Sequence, residues 1–254
     1  MESTAVRILL VSRDIPTIQV LCQAMPPTAM QVETCCDMDS AMKKLCRSKF
    51  EAVIIDLSDK DAGLGVFEKV HASTSHQEAV TFAVVKDAAE SAQAFQAGAT
   101  FVLQRPLSAM TIFRTLRAAY PMMVREKRRY FRCPVEAVTF IKNEVGREFV
   151  GASLNISEGG LAIQSSSSVR VGEKLEIQVR LPGKQDPILI MVKAEVCWSD
   201  ATGRAGLHFV ELPKAVTEQI QSWLAVRLQD MMPNADWEEH LTRDVAPDSP
   251  VMVN

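Results

Sequence analysis

The chain has 254 residues, 47% hydrophobic and 23% charged, with a formal net charge of −3. This is the balance of an ordinary globular protein, with apolar material for one large core or two ordinary ones. Apolar runs fall short of the roughly 20 residues that a membrane span requires, and the charge, mildly basic around one arginine cluster and acidic at the tail, is not the profile of a DNA- or RNA-binding protein.

The first 120 residues alternate apolar strand runs with amphipathic helical ones. Residues 6–11 read as a buried strand, 15–25 as a helix broken at Pro26-Pro27, and 31–35 as a weaker strand. A helix over 38–48 precedes the clearest buried strand, 52–57, which carries Asp56 near its C-terminal end. A glycine-containing loop and a helix around 65–71 follow, then a strand at 80–85, a helix at 88–98 and a strand at 100–104. The last helix spans 108–120 and is expected to end at Pro121. Five strands alternating with five helices predict an α/β doubly wound parallel sheet, buried on both faces.

This half resembles a response-regulator receiver domain. The segment 99–107, Ala-Thr-Phe-Val-Leu-Gln-Arg-Pro-Leu, looks like the family's last strand and its Lys-Pro, and Asp56 falls at the phospho-acceptor position. Functional groups in such sheets sit at the carboxyl ends of the strands, which suits Ser12, Arg13, Asp56, Lys86 and Arg105. The resemblance implies an acidic pair after the first strand that holds Mg²⁺. Ser12 and Arg13 stand there instead, with Asp14 one residue late, though a register shift would bring it closer. Magnesium wants an octahedral oxygen shell, and a guanidinium opposes the cation directly. The family's hydroxyl after the fourth strand is missing at Val85-Lys86, and Arg105 replaces its lysine without the same donor geometry. The expectation is a degenerate receiver-like domain over 1–120 in which Asp56 pairs with Arg13, Arg105 or Lys86. The alternative is a regulator phosphorylated at Asp56.

Residues 121–132 form a basic junction. Within it, 125–132 (Arg-Glu-Lys-Arg-Arg-Tyr-Phe-Arg) packs five cations into eight residues beside two aromatics. Such a run is a poor core segment and a good anion cradle. Guanidinium forks match phosphate oxygens and the O6/N7 edge of guanine, and they stack on flat rings. From Cys133 the pattern has period two, with Val135, Ala137, Thr139 and Ile141 alternating with Glu136, Val138, Phe140 and Lys142. Turn signals at 143–146, 157–160, 164–172, 182–187 and 200–203 separate further strands at 148–156, 161–163, 175–181, 188–198 and 205–210. Six strands without an intervening helix predict a small antiparallel barrel. After Pro213, Val216, Ile220, Trp223, Leu224 and Leu228 recur at helical spacing. That helix packs on the barrel or on a second copy of the chain, which leaves a homodimer open. The barrel and helix fill 133–232. Residues 233–254 are acidic, hold three prolines and read as a mobile tail, with Trp237 and Leu241 as an alternative docking segment.

The arginine run and the later Asn155-Ile156-Ser157-Glu158-Gly159-Gly160 together resemble the paired signature of PilZ domains, RxxxR and then (D/N)xSxxG. The matches are Arg128 and Arg132, then Asn155, Ser157 and Gly160, and Gly206-Leu207-His208-Phe209 resembles the GxxF that ends many such barrels. The resemblance implies a six-stranded barrel that is a receptor for the bacterial second messenger cyclic di-GMP. It implies that Arg128 and Arg132 contact guanine edges and phosphates, that Asn155 and Ser157 hydrogen-bond a guanine, and that Gly160 permits the turn. Arg129 is an auxiliary, because Arg125 and Arg129 form a competing register. Of Tyr130 and Phe131, one is expected to face the core and the other to be open to stacking. Like charges should keep the free junction mobile, so that ligand binding orders it and changes domain orientation. The rival is a PilZ adaptor that binds a protein and no nucleotide.

No catalytic chemistry is expected. GxSxG, P-loop and GxGxxG patterns are absent, and the four histidines are scattered without metal spacing. His208 reads as a packed or surface side chain of a strand. The six cysteines show no CxxC and read as reduced thiols. Residues 1–7 lack the features of a secretory signal, so a cytoplasmic protein is expected. Cofactors are not expected beyond the ligand, and no downstream partner is legible.

Overall fold

The computed structural model describes residues 5–58, 60–183 and 186–232. The chain divides into two units, one built on residues up to Lys127 and the other on Arg128–Met231. The expected tail at 233–254 lies outside the described residues.

The first unit is a parallel sheet of β1 (Val6–Val11), β2 (Met30–Cys35), β3 (Ala52–Asp56), β4 (Val80–Val85) and β5 (Phe101–Gln104) in the order β2-β1-β3-β4-β5. The helices are α1 (Ile15–Gln23), α2 (Met38–Arg47), α3 (Lys60–Ala72), α4 (Ala88–Gln96) and α5 (Ala109–Tyr130). The central strands are apolar at nearly every position because both of their faces are covered. Ile8, Leu10, Ile54, Phe82 and Val84 pack with Leu21 of α1 and Ile112 and Leu116 of α5. The alternate residues Leu9, Val11, Val53, Ile55 and Ala83 pack with Leu45 of α2, Phe67 of α3 and Ala94 of α4. Asp37 and Asp87 cap α2 and α4 by accepting from the N–H of Ser40 and Glu90, each at 2.8 Å.

Helix α5 departs from the expected boundary. It does not stop at Tyr120 but runs through Pro121 to Tyr130. A proline inside a helix costs on the order of 3 kcal/mol, since it removes a donor and crowds the preceding turn. Tertiary contacts beyond it offset that cost. Met123 is buried in the sheet's core, and Glu126 accepts an ion pair from Lys49 at 2.5 Å. The ammonium of Lys127 donates to the Ala5 carbonyl at 2.8 Å and lies 3.9 Å from Glu51. Burial pushes the Glu51 carboxyl up, and Lys127 opposes that shift. Residues 121–130 are therefore helix rather than a loose junction.

The second unit is an antiparallel barrel of β7 (Val138–Asn143), β8 (Glu148–Ile156), β9 (Gly160–Ser165), β10 (Lys174–Leu181), β11 (Ile188–Ser199) and β12 (Arg204–Val210). A short β6 (Cys133–Pro134) adds to β8. The order β8-β7-β10-β11-β12-β9 closes through β8–β9 pairing, so the six strands have no free edge. Ile141, Ile177 and Val179, at the alternating apolar positions of the sequence, fill the core, and Val192 and Val196 of β11 join them. Helix α6 (Lys214–Met231) lays Ile220, Trp223 and Leu224 on this core. The Trp223 indole N–H and the Arg227 guanidinium both donate to the Pro182 carbonyl, at 2.9 and 3.0 Å.

Candidate functional site

Arg128 and Arg129 ride on the last turn of α5, and Arg132 follows between the helix and β6. Asn155 lies near the end of β8, and Ser157, Glu158 and Gly159 make the turn into β9. A groove of about 460 Å³ gathers Arg129, Arg132, Asn155, Ser157 and Gly160 with Trp198 and His208. Five of the six residues expected from the sequence thus line one cavity. Arg128 does not. Its Nε donates to Glu158 Oε1 at 3.2 Å, and the other oxygen of Glu158 accepts from Gln221 of α6 at 3.3 Å.

Two β-bulges shape the groove. The β8–β9 register shifts between Ser153 and Asn155, and the β11–β12 register shifts between Val196 and Trp198. Strict alternation would send Asn155 inward after buried Ser153, and Trp198 inward after Val192, Ala194 and Val196. The bulges reverse both, as such irregularities do where a side chain must be re-aimed. Ile156 takes the core position and Asn155 turns out. Trp198 is left 47% exposed, with its indole against Gly206. A Cβ on Gly206 would lie 2.0 Å from the indole nitrogen, so glycine is what lets the ring pack so close to the strand. Gly160 is needed for a similar reason, since its Cβ would meet the Leu207 carbonyl oxygen at 2.2 Å. Ser157 donates to the Gly160 carbonyl through its N–H at 2.9 Å and its hydroxyl at 3.2 Å. That fixes the turn and leaves the Ser157 oxygen able to accept a hydrogen bond.

The groove therefore pairs two guanidinium forks with an amide, a hydroxyl and a flat aromatic platform. Residues 126–225 match the family model described as the PilZ domain. The second unit carries a PilZ domain. Among solved structures, the first unit is similar to the chemotaxis response regulator CheY4 of Vibrio cholerae, at 20% identity and a TM-score of 0.42, over 45% of this chain and 98% of that one. A response regulator receiver domain protein of Methanospirillum hungatei matches at 18% identity and a TM-score of 0.42, over 48% of this chain and 98% of that one. The inhibitor of motility MotI/DgrA of Bacillus subtilis matches at 24% identity and a TM-score of 0.35, over 39% of this chain and half the length of that one, 50%. No curated protein matches the sequence.

The aromatic pair in the PilZ arginine run divides as the sequence implies in one respect. Phe131 packs against the barrel core, while Tyr130 is exposed and is not among the groove's lining residues. The aromatic at the groove is Trp198, which sequence reasoning missed. A tryptophan closing a long strand gives no sign of its direction until the bulge and its facing glycine are known.

The second candidate centre lies at the carboxyl ends of β1, β3 and β5. Asp56, with a side chain 1% exposed, accepts from the Ser12 hydroxyl at 2.7 Å and from Arg105 at 3.0 Å, both on Oδ2. The Ser58 N–H donates to Oδ1 at 3.1 Å. Arg105 also reaches Asp14 at 3.4 Å, so one guanidinium bridges the two carboxylates. Of the three cations expected as partners of Asp56, Arg105 pairs with it. Arg13 donates to the Cys36 carbonyl at 2.9 Å, and Lys86 lies 3.7 Å from Glu90. A receiver's Mg²⁺ does not fit these residues, because a fixed cation already sits between the carboxylates and one of the expected acidic positions is a hydroxyl. Among the described residues, no group of three or more His, Cys, Asp or Glu is placed to hold a metal, and no helix is long and apolar enough to cross a membrane.

Proposed function

We propose that this chain is a non-enzymatic signalling protein whose PilZ domain binds cyclic di-GMP in the groove and passes that event on by changing domain orientation or partner binding. The convergence of Arg129, Arg132, Asn155 and Ser157 beside Trp198 carries this reading. Arg132 and Arg129 offer forked donors to a phosphate or to the O6/N7 edge of guanine. Asn155 and Ser157 pair with the polar edge of a base, and Trp198 supplies a face for stacking. Arg128 joins the ligand by exchanging Glu158 for a phosphate oxygen.

Calorimetric titration with cyclic di-GMP tests the reading. Arg132→Ala removes charge-assisted hydrogen bonds of about 1.5–3 kcal/mol, which weakens binding roughly ten- to a hundredfold. Trp198→Ala removes a stacking surface of about 1–3 kcal/mol without touching the charge. Linear pGpG, GTP and cyclic AMP should compete poorly. Absence of heat with wild-type protein at high micromolar ligand would overturn the proposal.

A further inference from the structure

The outer face of the barrel carries a pattern that the groove does not use. Outward positions of antiparallel strands with one solvated face are ordinarily polar. Here the register of β8, β7, β10 and β11 sets outward residues in two transverse rows. One reads Glu148, Lys142, Glu176, Lys193, and the next reads Val150, Phe140, Gln178, Met191. Phe140 is 46% and Met191 62% exposed, and a groove of about 750 Å³ runs over both rows. Three exposed apolar side chains, Val150, Phe140 and Met191, in a row broken only by Gln178 and edged by charge, are what interaction sites look like.

We propose that this face is a two-fold interface between two copies of the chain. The charged row decides the occupant and the axis. Its signs run minus, plus, minus, plus across the strands. Rotation about an axis parallel to the strands, between β7 and β10, lays the row on its own reverse. Glu148 then faces the second copy's Lys193, and Lys142 faces its Glu176. The same operation sets Val150 against Met191 and Phe140 against Gln178, which covers the apolar row. The alternative axis, along the rows, would place Lys142 and Lys193 on Val138 and Leu189, so each would keep only the acids of its own chain beside it, such as Glu148 at 3.9 Å from Lys142, and gain no counter-charge across the interface. A row of zero net charge with alternating sign offers no attraction to a strongly charged partner or to the acidic residues 233–254. It does match itself, and a self-complementary two-fold contact closes at two copies. This inference is independent of nucleotide binding.

The test is sedimentation equilibrium of the full chain. Wild type should form dimers. A Lys142→Glu/Lys193→Glu chain and a Glu148→Lys/Glu176→Lys chain should each sediment as monomers with wild-type circular dichroism, and an equimolar mixture should form a one-to-one heterodimer. Met191→Arg, at a position exposed in the fold, is a second route and should weaken dimerisation by about tenfold or more. A monomeric wild type would assign the face to another partner and overturn the proposal. So would a dimer indifferent to these substitutions, or charge-reversed chains that fail to associate on mixing.

Discussion

Removing the Glu158 carboxylate should tighten cyclic di-GMP binding rather than weaken it, although Glu158 lies inside the turn that carries Ser157 and Gly160. Arg128 is held by Glu158 through one contact of 3.2 Å, with side chains 29% and 19% exposed. At that exposure the pair is screened, and its worth is about 0.5–1 kcal/mol rather than the several of a buried pair. Ligand binding through Arg128 must give up that amount. Glu158→Gln keeps the shape and the Gln221 contact while removing the charge, so affinity should rise about two- to fivefold. The assay is a double-mutant cycle by calorimetry with Arg128→Ala. If Glu158 acts by restraining Arg128, Glu158→Gln should change nothing in the Arg128→Ala background. An equal gain in that background would mean that Glu158 merely repels the ligand's phosphates. Weaker binding in Glu158→Gln alone would refute the restraint altogether.

Three further outcomes are expected. Acetyl phosphate with Mg²⁺ should leave the intact mass unchanged, because Arg105 already neutralises Asp56; a phosphoryl adduct absent from Asp56→Asn would contradict this. Burial, helped by the Lys49 cation, lowers His76 from 6.5 to about 4, and the folded protein therefore keeps it neutral, with Nε2 accepting from the Phe50 N–H. A depressed folded value means stability that is present above about pH 6.5 and lost toward pH 4, up to about 3 kcal/mol, so urea midpoints should fall across that window and fall less in His76→Gln. Amide exchange should be slow over 121–127 without ligand, and cyclic di-GMP should add protection at 128–132 and 155–160; added protection confined to the remaining barrel strands would refute the placement of the site.

The parallel sheet and the barrel were legible because periodicity reports burial directly. Residues 52–56 are apolar without a break up to Asp56, and they lie at the sheet's centre. Residues 175–181 alternate strictly, and they form a barrel strand with one buried face. The reading failed where a local rule met a tertiary contact. Pro121 is a sound stop signal by itself, but the burial of Met123, Glu126 and Lys127 carries the helix past it. The placement of the arginines was hidden for a related reason. Positions 128 and 132 would share a face if the helix continued, yet it ends at Tyr130, so Arg132 leaves the helical register. Arg129, one residue and about 100° further round, is the helical arginine that lines the groove. Trp198 escaped because a single-residue register shift decides its direction.

The relative strengths of these contacts say where a bound ligand can act. Breaking a buried ion pair by removing one partner costs about 3–5 kcal/mol, and two buried acids, Glu51 and Glu126, meet Lys127 and Lys49 immediately before the arginines. A ligand gains about 1.5–3 kcal/mol from each charge-assisted hydrogen bond, too little to dislodge that turn and still bind well. The partly exposed Arg128–Glu158 pair, at about 0.5–1 kcal/mol, would give way first. Adjustment on binding is thus taken up after Lys127, at Arg128, Arg129 and Arg132. Glu158 also holds Gln221 of α6, so on the proposed function a departure of Arg128 would be felt by that helix. The same reasoning makes Gln221→Ala nearly neutral for affinity, since a single 3.3 Å bond between a neutral donor and a partly exposed carboxylate adds little, while uncoupling α6 from the ligand.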